Sequence, residues 1–553
     1  CYIGVGGAKA KVSAIRIYDV VLSAEDLAAN RQIDESRFKT EYTWTGAGDG
    51  TNWSNAANWG KASPITWTSA DTVTFDTSAE ITVDADALDA DDLLPLGKIV
   101  LKNAGTVVTI HGSDEKPDGA IKLFSVGGTG LDAAADTVLN LDVPLTYDSA
   151  RVDLVSLGTV RYSSRITFGS STEHYSRIAE AIFTKGARFD ASMSSKKVSP
   201  TMGYQNLMRV RMEEDAEVKY KNFEFAYGSS GTLEDYFIQD GADTKLIVVN
   251  DFAANYDANA YPQHFVLRDG TLTVGGTARV TTDNGTAGGD FTQEGGTASF
   301  AGHFELMHGN AVFSNGTCTI AGELRNGSMK ASPEIVGAAY VYNGMDLTIG
   351  KLQTTLHFRA GDSDEPAHVH FTQSGTPSGA KLVFEPGAKV KLTADAAVTL
   401  KFKEDTVLPD DLDIGENVTL QVDKNVQLTS ASTTPLAITI RAGGHLNLCG
   451  QTAYIAAPID LSIEDGGQLW VESSSNNRGI IVAHSYTLAG VKQNRGRYLS
   501  VNDASAALRG SVTFSLYVPY TWTGAAGEDD TSTATLRNWT VGGVVPTADD
   551  LSL

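Results

Sequence analysis

The sequence predicts an all-β protein, an elongated parallel β-helix or β-solenoid. Three observations predict it. A short phrase recurs from about residue 80 to residue 518: a Gly, a brief alternation of apolar and small polar residues, then a turn. Helical periodicity is almost absent, the best candidate being the short stretch "YSRIAEAIF" at 175–183. The chain carries 55 Gly but only 15 Pro, and it is rich in Thr and Val, a balance that suits strands punctuated by tight corners.

The chain opens on a segment of a different kind. "KVSAIRIYDVVL" alternates apolar residues at Val12, Ile15 and Ile17 and reads as a strand. "LSAEDLAANRQIDESRF" then reads as a short helix, with Ser23 as its N-cap and Asp26 in capping-box register. Ile15-Arg16-Ile17-Tyr18-Asp19, then Leu22-Ser23-Ala24-Glu25-Asp26-Leu27, then Arg37-Phe38, resemble the C-terminal end of LamG-like, concanavalin-type jelly rolls. Such a sandwich needs about eight strands, so residues 1–41 would be only its tail, and no sugar or calcium ligand of that family is carried over.

"YTWTG" follows at Tyr42–Gly46 and returns at Tyr520–Gly524. The first copy leads into "NWSNAANWGKASPITWTSADTVTFD" and the second into "LRNWTVGGVVPTADDLSL". Thr43-Trp44-Thr45-Gly46, Asn52-Trp53, Asn58-Trp59, Pro64 and the run Ala70–Phe75 resemble the opening of autotransporter-associated β-strand-repeat proteins, large bacterial surface chains. That resemblance implies an extracellular, β-helical, structural or adhesive protein and names no catalytic residue. Residues 42–519 are therefore expected to be one solenoid. Residues 520–553 are expected to begin a second module or to form a strand segment lent to a neighbour. The chain reads as a piece of a longer precursor.

Within 42–519 the phrase appears as "AGTVVTIHG" (104–112), "KGARFDAS" (185–192), "DGTLTVGG" (269–276), "GGTASFAG" (295–302), "NGTCTIAG" (315–322), "PGAKVKLTA" (386–394), "GENVTLQV" (415–422), "GGHLNLCG" (443–450) and "GGQLWVES" (466–473). Gly270, Gly296 and Gly316, and then Gly387, Gly415, Gly444 and Gly467, recur at intervals of roughly 20 to 30 residues, the mark of a repeat that stacks. Each phrase offers only two or three inward apolar residues, such as Leu272 and Val274 or Leu446 and Leu448. No such face forms a core alone, but stacking at about 4.8 Å builds ladders of like side chains and pairs the backbone. Phe300, Phe313 and Trp470 suit an interior or a stacked face. An array of β-sandwiches is the rival architecture. The irregular unit length with a constant Gly-x-apolar-x-apolar phrase favours the solenoid.

Net charge is −24, from 67 acidic and 43 basic residues. That excess is a poor match for nucleic acid or an anionic membrane surface. No apolar run reaches the 18 or so residues of a membrane span. Three cysteines, Cys1, Cys318 and Cys449, make no disulfide framework, and Cys318 reads as a small buried hydrophobe.

Candidate chemistry is sparse. His368 and His370 fall on one strand face but lack a third metal ligand. Asp362, Asp364 and Glu365 share one loop of hard oxygen donors that would suit Ca²⁺, and "VDADALDADD" offers Asp84, Asp86, Asp89, Asp91 and Asp92; solvated acidic loops are the plainer reading of both. No catalytic residue is assigned, and no cofactor is called for beyond a possible structural calcium. Tyr520, Trp522 and Trp539 are the candidates for assembly.

The functional expectation is an extracellular structural repeat protein, secreted or held at the cell surface. It would join end to end as a homopolymer or with neighbouring repeats of its precursor. The alternatives are a carbohydrate-binding adhesin using exposed aromatics such as Trp53 and Trp59, and a β-helix polysaccharide lyase or hydrolase.

Overall fold

A computed structural model describes residues 21–23, 26, 41–124, 129–147, 151–168, 173–192, 209–225, 235–254, 263–280, 290–307, 309–327, 337–431, 434–449, 454–472, 479–492, 496–500, 508–516, 521–523 and 539–540. Strands make up 55% of the chain and helix 2%, and parallel coils stack as a β-solenoid of about 12 turns. The coils group into two compact units, residues 1–198 and 199–553.

Residues 1–41, expected from the sequence to be a jelly-roll tail, lie almost wholly outside the described residues, and the cap at Ser23 and Asp26 is the exception. The Asp26 N–H donates to Ser23 Oγ at 3.1 Å, and the Ser23 N–H donates back to Asp26 Oδ2 at 3.1 Å, the reciprocal capping expected there.

In the first unit each coil has three sides. Strands Thr72–Phe75, Ala79–Thr82 and Leu93–Leu96 are followed one coil later by Lys98–Leu101, Val107–His111 and Ala120–Leu123, each in parallel register with its predecessor. The alternation of the sequence becomes a ladder. Val73, Ile99 and Leu131 stack on one side, Ile81, Ile110, Leu141 and Tyr162 on the next, and Leu94, Ile121, Leu145 and Ile166 on the third. All of these are buried.

Strand Arg151–Tyr162 covers two sides without a break, turning the corner at Gly158. A Cβ there would come within 2.2 Å of the Thr137 carbonyl of the coil before, so no other residue fits without moving the corner. The next strand, Glu173–Phe183, contains the stretch that carried the best helical pattern. It is a strand because its neighbour offers ten paired positions, and Ile178, Ala181 and Phe183 go inward against them.

The second unit repeats the plan. Asp235–Gln239, Lys245–Val248 and Phe252–Ala254 make one coil; Gln263–Leu267, Thr271–Val274 and Ala278–Val280 the next; Asp290–Gln293, Thr297–Phe300 and Phe304–Leu306 a third. Phe237, Phe265 and Phe291 share one register position and stack at 5.2 and 5.6 Å. Where Phe300 enlarges a coil, Ala298 beside it takes the place of Leu272 in the coil before, which keeps the interior volume level. Cys318 continues that same ladder, fully buried, and burial pushes its thiol well above the usual range.

Each quoted Gly phrase holds a strand, and Leu272, Val274, Leu446 and Leu448 point inward as expected. Trp470 stands on the outer side, its ring 4.2 Å from that of His445. Near the end of the described coils the parallel pattern gives way: Gly496–Ser500 pairs antiparallel with Leu508–Leu516, which itself runs parallel to Gly479–Leu488.

Candidate functional site

Among the described residues the first "YTWTG" motif starts the stack. Glu41–Thr43 pairs in parallel with Thr72–Phe75, and the Trp44 N–H continues the ladder to the Thr74 carbonyl at 2.9 Å. The chain then loops out, and Trp53 returns to donate its N–H to Thr82 of the next side at 2.9 Å. Four indoles fill the space so enclosed. Trp44 and Trp53 each lie 4.9 Å from Trp59, and Trp67 lies 5.1 Å from it. All four are under a tenth exposed. The reading of Trp53 and Trp59 as sugar-stacking platforms is thereby overturned: Trp53 is 0% and Trp59 3% exposed, so neither ring offers a face to a ligand.

Polar groups close the loop above the indoles. Asn58 is fully buried. Its Oδ1 accepts from the N–H of Gly48 and Gly50, and its Nδ2 donates to Asp49 and to the Asn52 carbonyl. The Asn55 side chain and the Thr51 N–H hold the Asp49 carboxyl well below the usual carboxylate range. Thr45 and Gly46 donate their N–H groups to the Asn58 carbonyl, so the TWTG segment lies alongside the NW segment.

The second copy shows the same association in its backbone. Trp522 pairs with Trp539, and Thr521 with Thr540, antiparallel. Of the assembly candidates, Trp522 and Trp539 are thus brought together, while Tyr520 lies outside the described residues.

The acidic candidates are spread out. Asp362, Asp364 and Glu365 are exposed in the loop between strands Thr355–Arg359 and Ala367–Phe371, and Asp364 pairs with Lys389 at 3.3 Å. Asp84 accepts from Ser54, Asp89 caps the turn to Leu93, and Asp92 pairs with Lys116. Among the described residues no three His, Cys, Asp or Glu side chains come together as a metal site.

His368 and His370 do stand on one outer face, as expected, with their rings 6.2 Å apart. Sequence reading missed their partners, because these come from other coils: Asp346 from the coil before, Thr393 and Asp395 from the coil after. Outer-face ion pairs repeat elsewhere. Glu305 takes Arg279 at 2.8 Å and Arg325 at 3.1 Å, and Arg441 bridges Asp413 and Glu464. Burial works against the charge of Glu305, yet the two guanidinium groups win and hold its carboxyl below the usual range.

Compared with family models, curated proteins and solved structures, the chain finds no match.

Proposed function

We propose that this chain is an extracellular structural repeat protein, a building block of a bacterial surface fibre, sheath or layer, whose copies associate end to end. The observation that carries the reading is the doubled opening motif. One copy is the buried start of a stack of coils, and a second copy, with its Trp522 and Trp539 segments paired, follows the stack. A starting motif that recurs after a stack is the natural grammar of stack upon stack.

The physics of the coils supports it. Their side chains satisfy one another in ladders, inward by apolar stacking and outward by ion pairs, so each coil is both product and template for the next. Strand edges at the ends of such a stack are donors and acceptors for a further strand, and residues 520–553 supply a segment that can be lent. The formal charge of −24 keeps lateral contacts repulsive and favours growth along the coil axis.

Electron microscopy of the purified chain tests the reading, at rising concentration and with and without calcium. Linear assemblies that lengthen with concentration are expected. Single particles at every concentration, in both conditions, reject it.

A further inference from the structure

One outer side of the second unit carries a small lattice of hydroxyl groups. Strands Thr271–Val274, Thr297–Phe300 and the first half of Gly316–Asn326 lie in parallel register. Thr271 stands beside Thr297 and then Thr317, and Thr273 beside Ser299 and then Thr319, so the hydroxyls form two columns of three. The alternate residues Leu272, Val274, Ala298, Phe300, Cys318 and Ile320 are buried, and this core fixes both columns from behind. Thr271, Thr273, Thr297 and Thr317 are exposed, and Ser299 and Thr319 partly so. Among the described residues none of the six hydroxyls has a hydrogen-bond partner.

Two more features set this side apart. In a chain of net charge −24, the segments 270–276, 296–302 and 316–322 hold no charged residue. Lys245 on the coil before and Asp346 on the coil after mark the ends of the uncharged stretch. The strands are also flanked by Gly and Ala alone: Gly270 and Gly275-Gly276, Gly296 and Ala301-Gly302, Gly316 and Ala321-Gly322. No flanking side chain is larger than a methyl group, so a flat, extended object can meet all six hydroxyls at once. No aromatic ring faces outward here for a sugar to stack on, since Phe300 is buried.

The spacing points to the ligand. Successive coils repeat at about 4.8 Å, and positions two apart on a strand at about 6.7 Å. Water joined tetrahedrally through O–H···O bonds of about 2.75 Å puts second-neighbour oxygens about 4.5 Å apart and, in ice, repeats at about 7.3 Å along the perpendicular axis. The misfit is about 0.3 Å per coil along a column and about 0.6 Å between columns, small beside the length of one hydrogen bond. We propose that this side of the coil stack binds ice. The six hydroxyls join the lattice as donors and acceptors in place of surface waters. The stiff χ1 of Thr holds each hydroxyl where the backbone puts it. The threonine γ-methyl groups exclude the mobile water that a charged side chain would keep. The proposal rests on the geometry of the coils and stands whether or not copies join end to end.

The test grows ice slowly from a solution of the full chain, measures how much protein the ice takes up, and follows grain growth in a frozen sucrose solution. The unaltered chain is expected to enter the ice, to give single crystals flat facets, and to slow grain growth at least twofold against an equal mass of albumin. Thr297→Lys places a charge at the middle of the lattice and should abolish all three effects. Lysine suits the site structurally, since Thr297 is exposed and Lys245 and Lys391 already occupy outward positions on this sheet. Thr271→Lys serves as a second variant, and Val407→Lys, at an exposed position outside the lattice, should keep all three effects. Matching thermal melts show that each variant is folded. Exclusion of the unaltered chain from ice with rounded crystals, effects that survive both threonine substitutions, or retention on crystalline cellulose or chitin without any effect on ice overturns the proposal.

Discussion

Asn58 shows how much one side chain does at the start of the stack. It is buried and meets four partners, and removing its amide leaves the Gly48 and Gly50 N–H groups enclosed without an acceptor. Asn58→Ala should cost about 3 kcal/mol, at about 1–3 kcal/mol for each orphaned group, read as a lower urea midpoint for the first unit. Trp53→Ala should cost about 3–5 kcal/mol by emptying the indole cluster, and binding to any glycan should not change beyond what unfolding accounts for. At this scale the sequence was legible where chemistry is local. The Ser23–Asp26 cap and the buried Cys318 were readable from a few neighbouring residues. The burial of Trp53 and Trp59 was not, since it depends on Trp67, later in the same loop, and on Phe75 of the following coil packing against them.

Among elements, the stacked ring and the corner glycine carry the coils. Gly296 sits at φ +64°, and a Cβ there would come within 2.5 Å of the Gly270 carbonyl directly beneath. Gly296→Ala should therefore cost about 2 kcal/mol or more, with hydrogen exchange accelerated in strands Thr271–Val274 and Thr297–Phe300 before the rest. The pH response also belongs here. Burial holds His357, His368 and His445 below the ordinary imidazole value, so the folded chain binds fewer protons at these rings than the unfolded chain does. Their contribution to stability is full above about pH 6.5 and falls as the medium is acidified through the folded values. Urea midpoints should drop between about pH 6.5 and 5, and His445→Gln should flatten that slope.

Strand positions were readable from Gly-started alternation, because a two-residue period needs only a few residues to declare itself. Strand Glu173–Phe183 was harder. Apolar residues at Ile178, Ala181, Ile182 and Phe183 satisfy a helical spacing, and only the waiting edge of strand Arg151–Tyr162 decides the matter.

At the scale of the molecule, the sequence showed that coils stack, since the apolar residues of one phrase are too few to fold alone. It did not show three sides to a coil, nor the division into units at 198/199, because corners such as Gly158 are set by the coil beneath. The doubled opening motif was visible in the letters. The pairing of Trp522 with Trp539 gives its second copy a structural counterpart to the contact between Thr45 and Asn58.

Association of one copy with the next through the second opening motif is the claim on which the functional account stands. Analytical ultracentrifugation of the full chain beside a Trp522→Ala/Trp539→Ala double variant measures it most directly. The account expects a reversible series of oligomers for the unaltered chain and a single monomer boundary for the variant. A monomer boundary for both, or the same oligomers from both, contradicts it.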